Sequence, residues 1–227
     1  MLQEVLGPFT RLFLANTCPL CDRSTGEVLC QSCHGQMLSS LWPVATLADP
    51  RMKVPPTTDF NLFAWGAYSG LLKQALALLK YGNKPELGIW LGVQLGAQWY
   101  EHYGATLRHK PLMIPIPLHR ERQQQRGYNQ ASLIAKGFCR ATGLRYIPNG
   151  LIRKKNTCAM HSLGVAERKA NLWGAFQLGT SLPKPSRPIW LIDDIYTTGS
   201  TALAATVVLR QAGYNVLGMI TVARAMF

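Results

Sequence analysis

Apolar positions along the chain switch between two periods. Residues 60–68 form a short, nearly continuous apolar run ended by Ser69 and Gly70, the pattern of a buried strand. Residues 71–80 carry apolar side chains at helical spacing, with Gly82 as a stop signal, and residues 85–103 repeat that spacing behind a first-turn Pro85. A second strand is expected at 111–117, a helix at 129–141 and a strand at 144–152. The buried-strand run 189–192, a helix over 201–211 stopped by Gly213, and a last strand at 216–222 complete the series. Residues 118–128 and 153–173 are polar and basic and read as loops, the second unusually long for a compact domain. Strands alternating with helices predict an α/β fold with a Rossmann-like parallel sheet covered on both faces. In such sheets ligands bind beyond the carboxyl ends of the strands.

Upstream of residue 59 the pattern changes. Residues 1–16 are apolar in patches that fit one face of a short helix, and they lack the basic leader and cleavage site of a signal peptide. Residues 41–58 contain Pro43, Pro50, Pro55 and Pro56 and read as a linker. The chain is expected to divide into residues 1–58 and a larger α/β domain, residues 59–227. Between helix and linker, Cys18-Pro-Leu-Cys21 and Cys30-Gln-Ser-Cys33 form two Cys-x-x-Cys knuckles. Four thiolates at this spacing suit a closed, tetrahedral, structural zinc site. No apolar run is long enough to span a bilayer, and the expected compartment is the cytoplasm, where disulfides are disfavoured.

Charge sharpens the picture. The 227 residues carry 24 Lys and Arg against 11 Asp and Glu, a formal charge of +13, which favours phosphorylated metabolites or nucleic acid as partners. In so acid-poor a chain, Asp193 and Asp194 directly after an apolar strand are poor candidates for surface solubilisation. Thr197, Thr198, Gly199, Ser200 and Thr201 follow them into a helix start. A helix N-terminus offers unpaired amide hydrogens and the positive end of a dipole, so it accepts phosphate. Gly199 lets the backbone come close and the hydroxyls add donors. The two carboxylates suit the 2′ and 3′ hydroxyls of a ribose. Upstream, residues 115–130 place Arg120, Arg122, Arg126 and Gly127 between a strand end and a helix that Asn129 is positioned to cap.

The acid pair followed by Thr-Thr-Gly-Ser-Thr resembles the phosphoribosyl pyrophosphate (PRPP) signature of type I phosphoribosyltransferases. Together with the cysteine knuckles, Pro115-Ile-Pro-Leu, Arg126-Gly-Tyr-Asn-Gln130, and the element from Thr157 through Leu163 and Arg168 to Asn171 and Phe176, nearly the whole chain resembles the competence protein F (ComF/GntX) family. The resemblance implies that Asp193 and Asp194 hold the ribose hydroxyls and that residues 197–201 hold the 5′-phosphate. It implies that Arg120, Arg122, Arg126 and Gly127 lie over the pyrophosphate. A lid carrying Arg153, Lys154, Lys155, Thr157 and Arg168 would close the site, and Mg2+ would sit on the ligand's oxygens. It further implies a role with incoming single-stranded DNA in natural transformation, beside uptake-machinery proteins. Met160 stands where the family usually has glutamine, and residues 34–60 lack the further cysteines of many relatives. Two other readings stay open. One is a salvage enzyme moving a phosphoribosyl group onto a nucleobase or amine, for which the sequence offers no acceptor pocket. The other is a non-catalytic PRPP sensor.

Overall fold

The computed structural model describes residues 17–42, 60–154 and 174–226. Its centre is a five-stranded sheet in the order β1-β7-β6-β2-β3, with every neighbouring pair parallel. The strands are β1 (Asn61–Ala67), β2 (Leu112–Pro115), β3 (Arg145–Tyr146), β6 (Ile189–Tyr196) and β7 (Val216–Arg224). A separate antiparallel pair joins β4 (Leu151–Arg153) to β5 (Phe176–Leu178).

The helices are α1 (Gln31–Ser39), α2 (Gly70–Tyr81), α3 (Pro85–Tyr103), α4 (Arg120–Arg126), α5 (Gln130–Thr142) and α6 (Ser200–Gln211). Alternating side chains send each central strand into two cores. Phe63, Met113, Trp190 and Ile192 pack with α2, α3, α5 and the cysteine segment on one face. Leu62, Leu112, Ile114, Ile189 and Leu191 pack with α6 and the β4–β5 pair on the other. The expectation of a parallel sheet covered on both faces therefore holds.

Three local expectations are corrected. The basic stretch after β2 is partly helical: Arg120–Arg126 forms α4, closed by Gly127 in the left-handed region at φ +81°. The single strand expected over 144–152 is two short strands, because Pro148, Asn149 and Gly150 turn the chain from the main sheet into the β4–β5 pair. The long polar loop loses its first residue to that pair, with Arg153 on β4, and β5 begins at Phe176, shortly after the loop's expected end. The expected helix in residues 1–16, residues 43–58 of the expected linker, Lys155, Thr157 and Arg168 of the expected lid, and Met160 lie outside the described residues.

Helices α3 and α5 cross at backbone contact. A Cβ on Gly92 would stand 2.0 Å from the Ile134 carbonyl oxygen, and one on Gly137 would stand 2.1 Å from that of Ile89. Neither obstacle is a side chain that can rotate away, so Gly92→Ala must part the helices. A loss of about 3 kcal/mol or more is expected, at the upper end of overpacking costs. Gly35→Ala meets nothing within 4 Å and should shift stability by less than about 1 kcal/mol in the favourable direction. Urea midpoints of the two variants check the contrast.

Candidate functional site: the crevice between β2 and β6

The chain leaves β2 toward β3 on one side and leaves β6 toward β7 on the other, so β2 and β6 flank the topological switch point of the sheet. The crevice beyond their carboxyl ends is where an open α/β sheet binds its ligand. Two segments border it: α4, after β2, and residues 197–199, after β6.

Strand β6 runs past the acid pair to Tyr196, so Asp193 and Asp194 lie within its last half rather than beyond its end. Asp194 is buried and Asp193 half-buried. The Asp194 backbone N–H donates to Asp193 Oδ1 at 2.8 Å. Lys80, at the end of α2, places Nζ 2.5 Å from Asp194 Oδ2, with side-chain exposures of 18% and 7%. Burial alone would raise the Asp194 carboxyl, but the Lys80 ammonium and the contact with Asp193 hold it below its usual range. Burial and the adjacent Asp194 carboxylate push Asp193 well above its usual range. Burial opposes the charge on Lys80, yet Asp194 and Asp193 hold its ammonium above the ordinary lysine value. The Lys80 ammonium thus favours the charged form of Asp194, while burial beside Asp194 disfavours the charged form of Asp193.

After β6 the backbone turns sharply. Gly199 sits at φ +76° ahead of α6, a conformation that favours glycine, and a Cβ there would also meet Tyr196 Oη at 2.2 Å unless that side chain moved. Thr198 Oγ1 and Ser200 Oγ share a hydrogen bond of 2.8 Å. Thr197 is exposed, Thr198 and Thr201 are half-buried, and Ser200 is buried at the first position of α6.

The run Arg126-Gly-Tyr-Asn-Gln130 acts locally as a bracket. Arg126 Nη1 donates to Gln130 Oε1 at 2.5 Å across the Gly127 turn. Tyr128 Oη donates to the Leu79 carbonyl at 2.6 Å, tying α4 to the turn of α2 that carries Lys80. Asn129 Oδ1 accepts from the Ala131 N–H at 3.0 Å, the expected cap of α5, while its Nδ2 donates to the Ile116 carbonyl at 3.0 Å. These bonds fix α4 over the ends of β2 and α2.

The three arginines of α4 do not face one space. Arg122 and Arg126 line a cavity of about 690 Å3 with Lys80, Tyr81 and Tyr128. The Arg126 guanidinium lies 5.7 Å from the centre of the exposed Tyr81 ring. Arg120 lines a second cavity, of about 520 Å3, with Asn149, Ile152 and Arg153. Burial and nearby Arg122 lower the Arg153 guanidinium while Asp193 raises it; burial is the larger effect. The Lys154 N–H donates to the Ala175 carbonyl at 2.8 Å, so Arg153 and Lys154 belong to a paired strand end.

Distant from this crevice, the sulfurs of Cys18, Cys21, Cys30 and Cys33 lie within 4.8 Å of one another, a group able to hold a metal ion. A tetrahedral zinc with Zn–S bonds of about 2.3 Å sets sulfurs about 3.8 Å apart, and Cys21 and Cys30 stand at 3.5 Å. A hydrogen bond with the Cys33 backbone lowers the Cys30 thiol to about 7, whereas burial and its three neighbours push Cys33 upward. His34 is outside the group and packs edge-on against Trp90 at 5.2 Å.

Parallel strand order, an acid pair on the central strand and the Thr-Thr-Gly turn at the switch point define a Rossmann-like α/β protein of the type I phosphoribosyltransferase fold. Among solved structures, adenine phosphoribosyltransferase from Saccharomyces cerevisiae is similar over 86% of this chain and 89% of its own, with 14% identity and a TM-score of 0.42. Two curated relatives are closer in sequence. Competence protein F of Haemophilus influenzae is 37% identical over 114 residues, half of each chain. The DNA utilization protein YhgH of Escherichia coli O6:H1 is 29% identical over 203 residues, 88% of this chain and 86% of its own. No family model matches the chain. The chain is similar in sequence to competence protein F and YhgH, the likeness that its motifs imply.

Proposed function

We propose that the crevice binds PRPP with Mg2+ and that the protein handles incoming single-stranded DNA in the cytoplasm during transformation; the names of its relatives, a competence protein and a DNA utilization protein, support the link to competence and to DNA. The observation that carries the PRPP reading is the acid pair and the Gly199 turn at the switch point, faced by cations from α2 and α4. Asp193 and Asp194 bond the ribose hydroxyls, and Thr197, Thr198, Gly199, Ser200 and Thr201 hold the 5′-phosphate at the N-terminus of α6. Arg122 and Arg126, joined by Lys80, meet the pyrophosphate from one side of α4; Arg120 and Arg153 stand on the other. Lys154, Lys155, Thr157 and Arg168 supply further cations and donors from the segment after β4, and Gly127 sets the turn. The thiol cluster holds a structural zinc in the unit ending at residue 58, and residues 59–227 form the PRPP-binding unit.

Calorimetry with PRPP and Mg2+ tests the site. Saturable binding is expected for the wild type. A drop of at least thirtyfold is expected for Asp193→Asn/Asp194→Asn and for Asp193→Asn alone, the latter leaving the Lys80–Asp194 pair intact. Equal binding by folded variants would sink the assignment. Nucleobase-dependent release of pyrophosphate would convert the reading from a binding protein to a transferase.

A further inference from the structure

At the opposite end of the sheet, three loops that feed the amino ends of β2, β6 and β7 enclose a cavity of about 540 Å3. It is lined by the basic residues Arg108, His109 and Arg187 and by Leu107, Pro185, Pro188 and Leu217. The Arg187 Nε donates to the Lys110 carbonyl at 2.6 Å, which locks the first two loops together. The neighbouring Arg210 donates through Nη2 to the Val216 carbonyl at 3.0 Å. Among the described residues, no carboxylate lines the cavity. Arg108, His109 and Arg187 thus line the cavity with no lining acid among the described residues, Lys110 and Lys184 are exposed next to them in the chain, and Leu107, Pro185, Pro188 and Leu217 add apolar lining against which a base or sugar can pack. β6 separates this end from the PRPP crevice by eight residues, about 25 Å at ~3.3 Å per residue. The cluster therefore cannot serve the pyrophosphate.

We propose that this cavity is a single-stranded DNA site, in which the basic residues track backbone phosphates and the apolar lining receives a nucleoside. The proposal rests on the DNA-handling reading above and adds where the strand lies: on the face opposite to PRPP, so that both ligands bind one molecule together.

The test is fluorescence anisotropy of a labelled oligothymidylate at low and moderate salt. The proteins compared are the wild type, Arg108→Ala/Lys110→Ala/Lys184→Ala, and Arg122→Ala/Arg126→Ala. All three residues of the first variant are exposed, so its thermal midpoint should match the wild type. The first variant should lose at least tenfold in affinity and show a shallower salt slope, with PRPP binding unchanged. The second should keep its DNA affinity within about twofold. Retained affinity in the first variant with loss in the second would overturn this site while leaving DNA handling intact, with the strand at the PRPP crevice. No oligonucleotide binding by the wild type would overturn both. Binding of duplex in preference to single strand would overturn the present assignment of ligand.

Discussion

Lys80→Met is expected to cost about 3–5 kcal/mol of folding stability, because it leaves the buried Asp194 carboxylate without its counter-charge. Lys80 contributes little as a surface cation. Its side chain is 18% exposed and its partner's 7%, so water screens the pair weakly. Lys80→Met/Asp194→Asn removes both charges at nearly conserved volume and should recover most of the loss. A double-mutant cycle from urea midpoints therefore yields a large coupling energy. The pH signature has a definite sign. Asp194 is held below its unfolded value, so its contribution is present above the ordinary carboxylate range and is lost as pH falls through its depressed value. Lys80 is held above its ordinary value, so its contribution is lost only as pH rises through that raised value. The wild-type advantage over Lys80→Met should be flat across neutral pH and shrink in acid. A cost under 1 kcal/mol, unchanged in acid, would mean that the pair is solvated and does not set the charge of the acid pair. PRPP affinity should fall in both the single and the double variant, since neither offers the wild-type charge pattern to the ligand.

Lys80 is also the site residue that sequence reasoning passed over, and the reason is physical. The pair joins the end of α2 to the middle of the sheet, a contact that no local spacing records. A signal did exist. Leu72 and Leu76 are buried on α2, and Lys80 continues their i, i+4, i+8 stripe, so a lysine stood on an inward-facing position. The helix α4 was illegible for the opposite reason. Arg-Glu-Arg-Gln-Gln-Gln-Arg contains no apolar residue and buries none of its side chains, so periodicity had nothing to report. The helix instead rests on good helix formers, the Gly127 turn, and the anchors Tyr128 and Asn129 beyond it. The central strands were legible because parallel strands buried on both faces read as apolar runs. Their ends were not: β6 continues through two aspartates because Asp193 and Tyr196 still pair with Thr221 and Arg224 of β7.

Metal removal should have the largest effect of all. The four cysteines are not a detachable appendage. Cys18, Cys30 and Cys33 are buried in the same apolar cluster as Leu20, Leu29 and Met37, and that cluster continues into Leu72, Leu76 and Trp65. Gln74 Nε2 of α2 donates to the Leu20 carbonyl at 3.3 Å, and the Trp42 N–H donates to the Trp65 carbonyl of β1 at 3.2 Å. A segment this short cannot build a core of its own, so an ion held by the four thiolates would add to the order that packing on α2 and β1 provides. Structural zinc in small modules supplies about 10–16 kcal/mol at neutral pH. Elemental analysis should give about one zinc per chain. Chelation, or Cys18→Ser/Cys33→Ser, should unfold residues 17–42 and uncover the side of α2 that they pack against, seen as faster amide exchange in α1 and α2 with β6 and β7 still protected. Because α2 carries Lys80, PRPP affinity should fall with it, though none of these four cysteines lines the cavities beside the crevice. A metal-free protein with unchanged exchange and unchanged PRPP binding would refute the metal site and its structural role together.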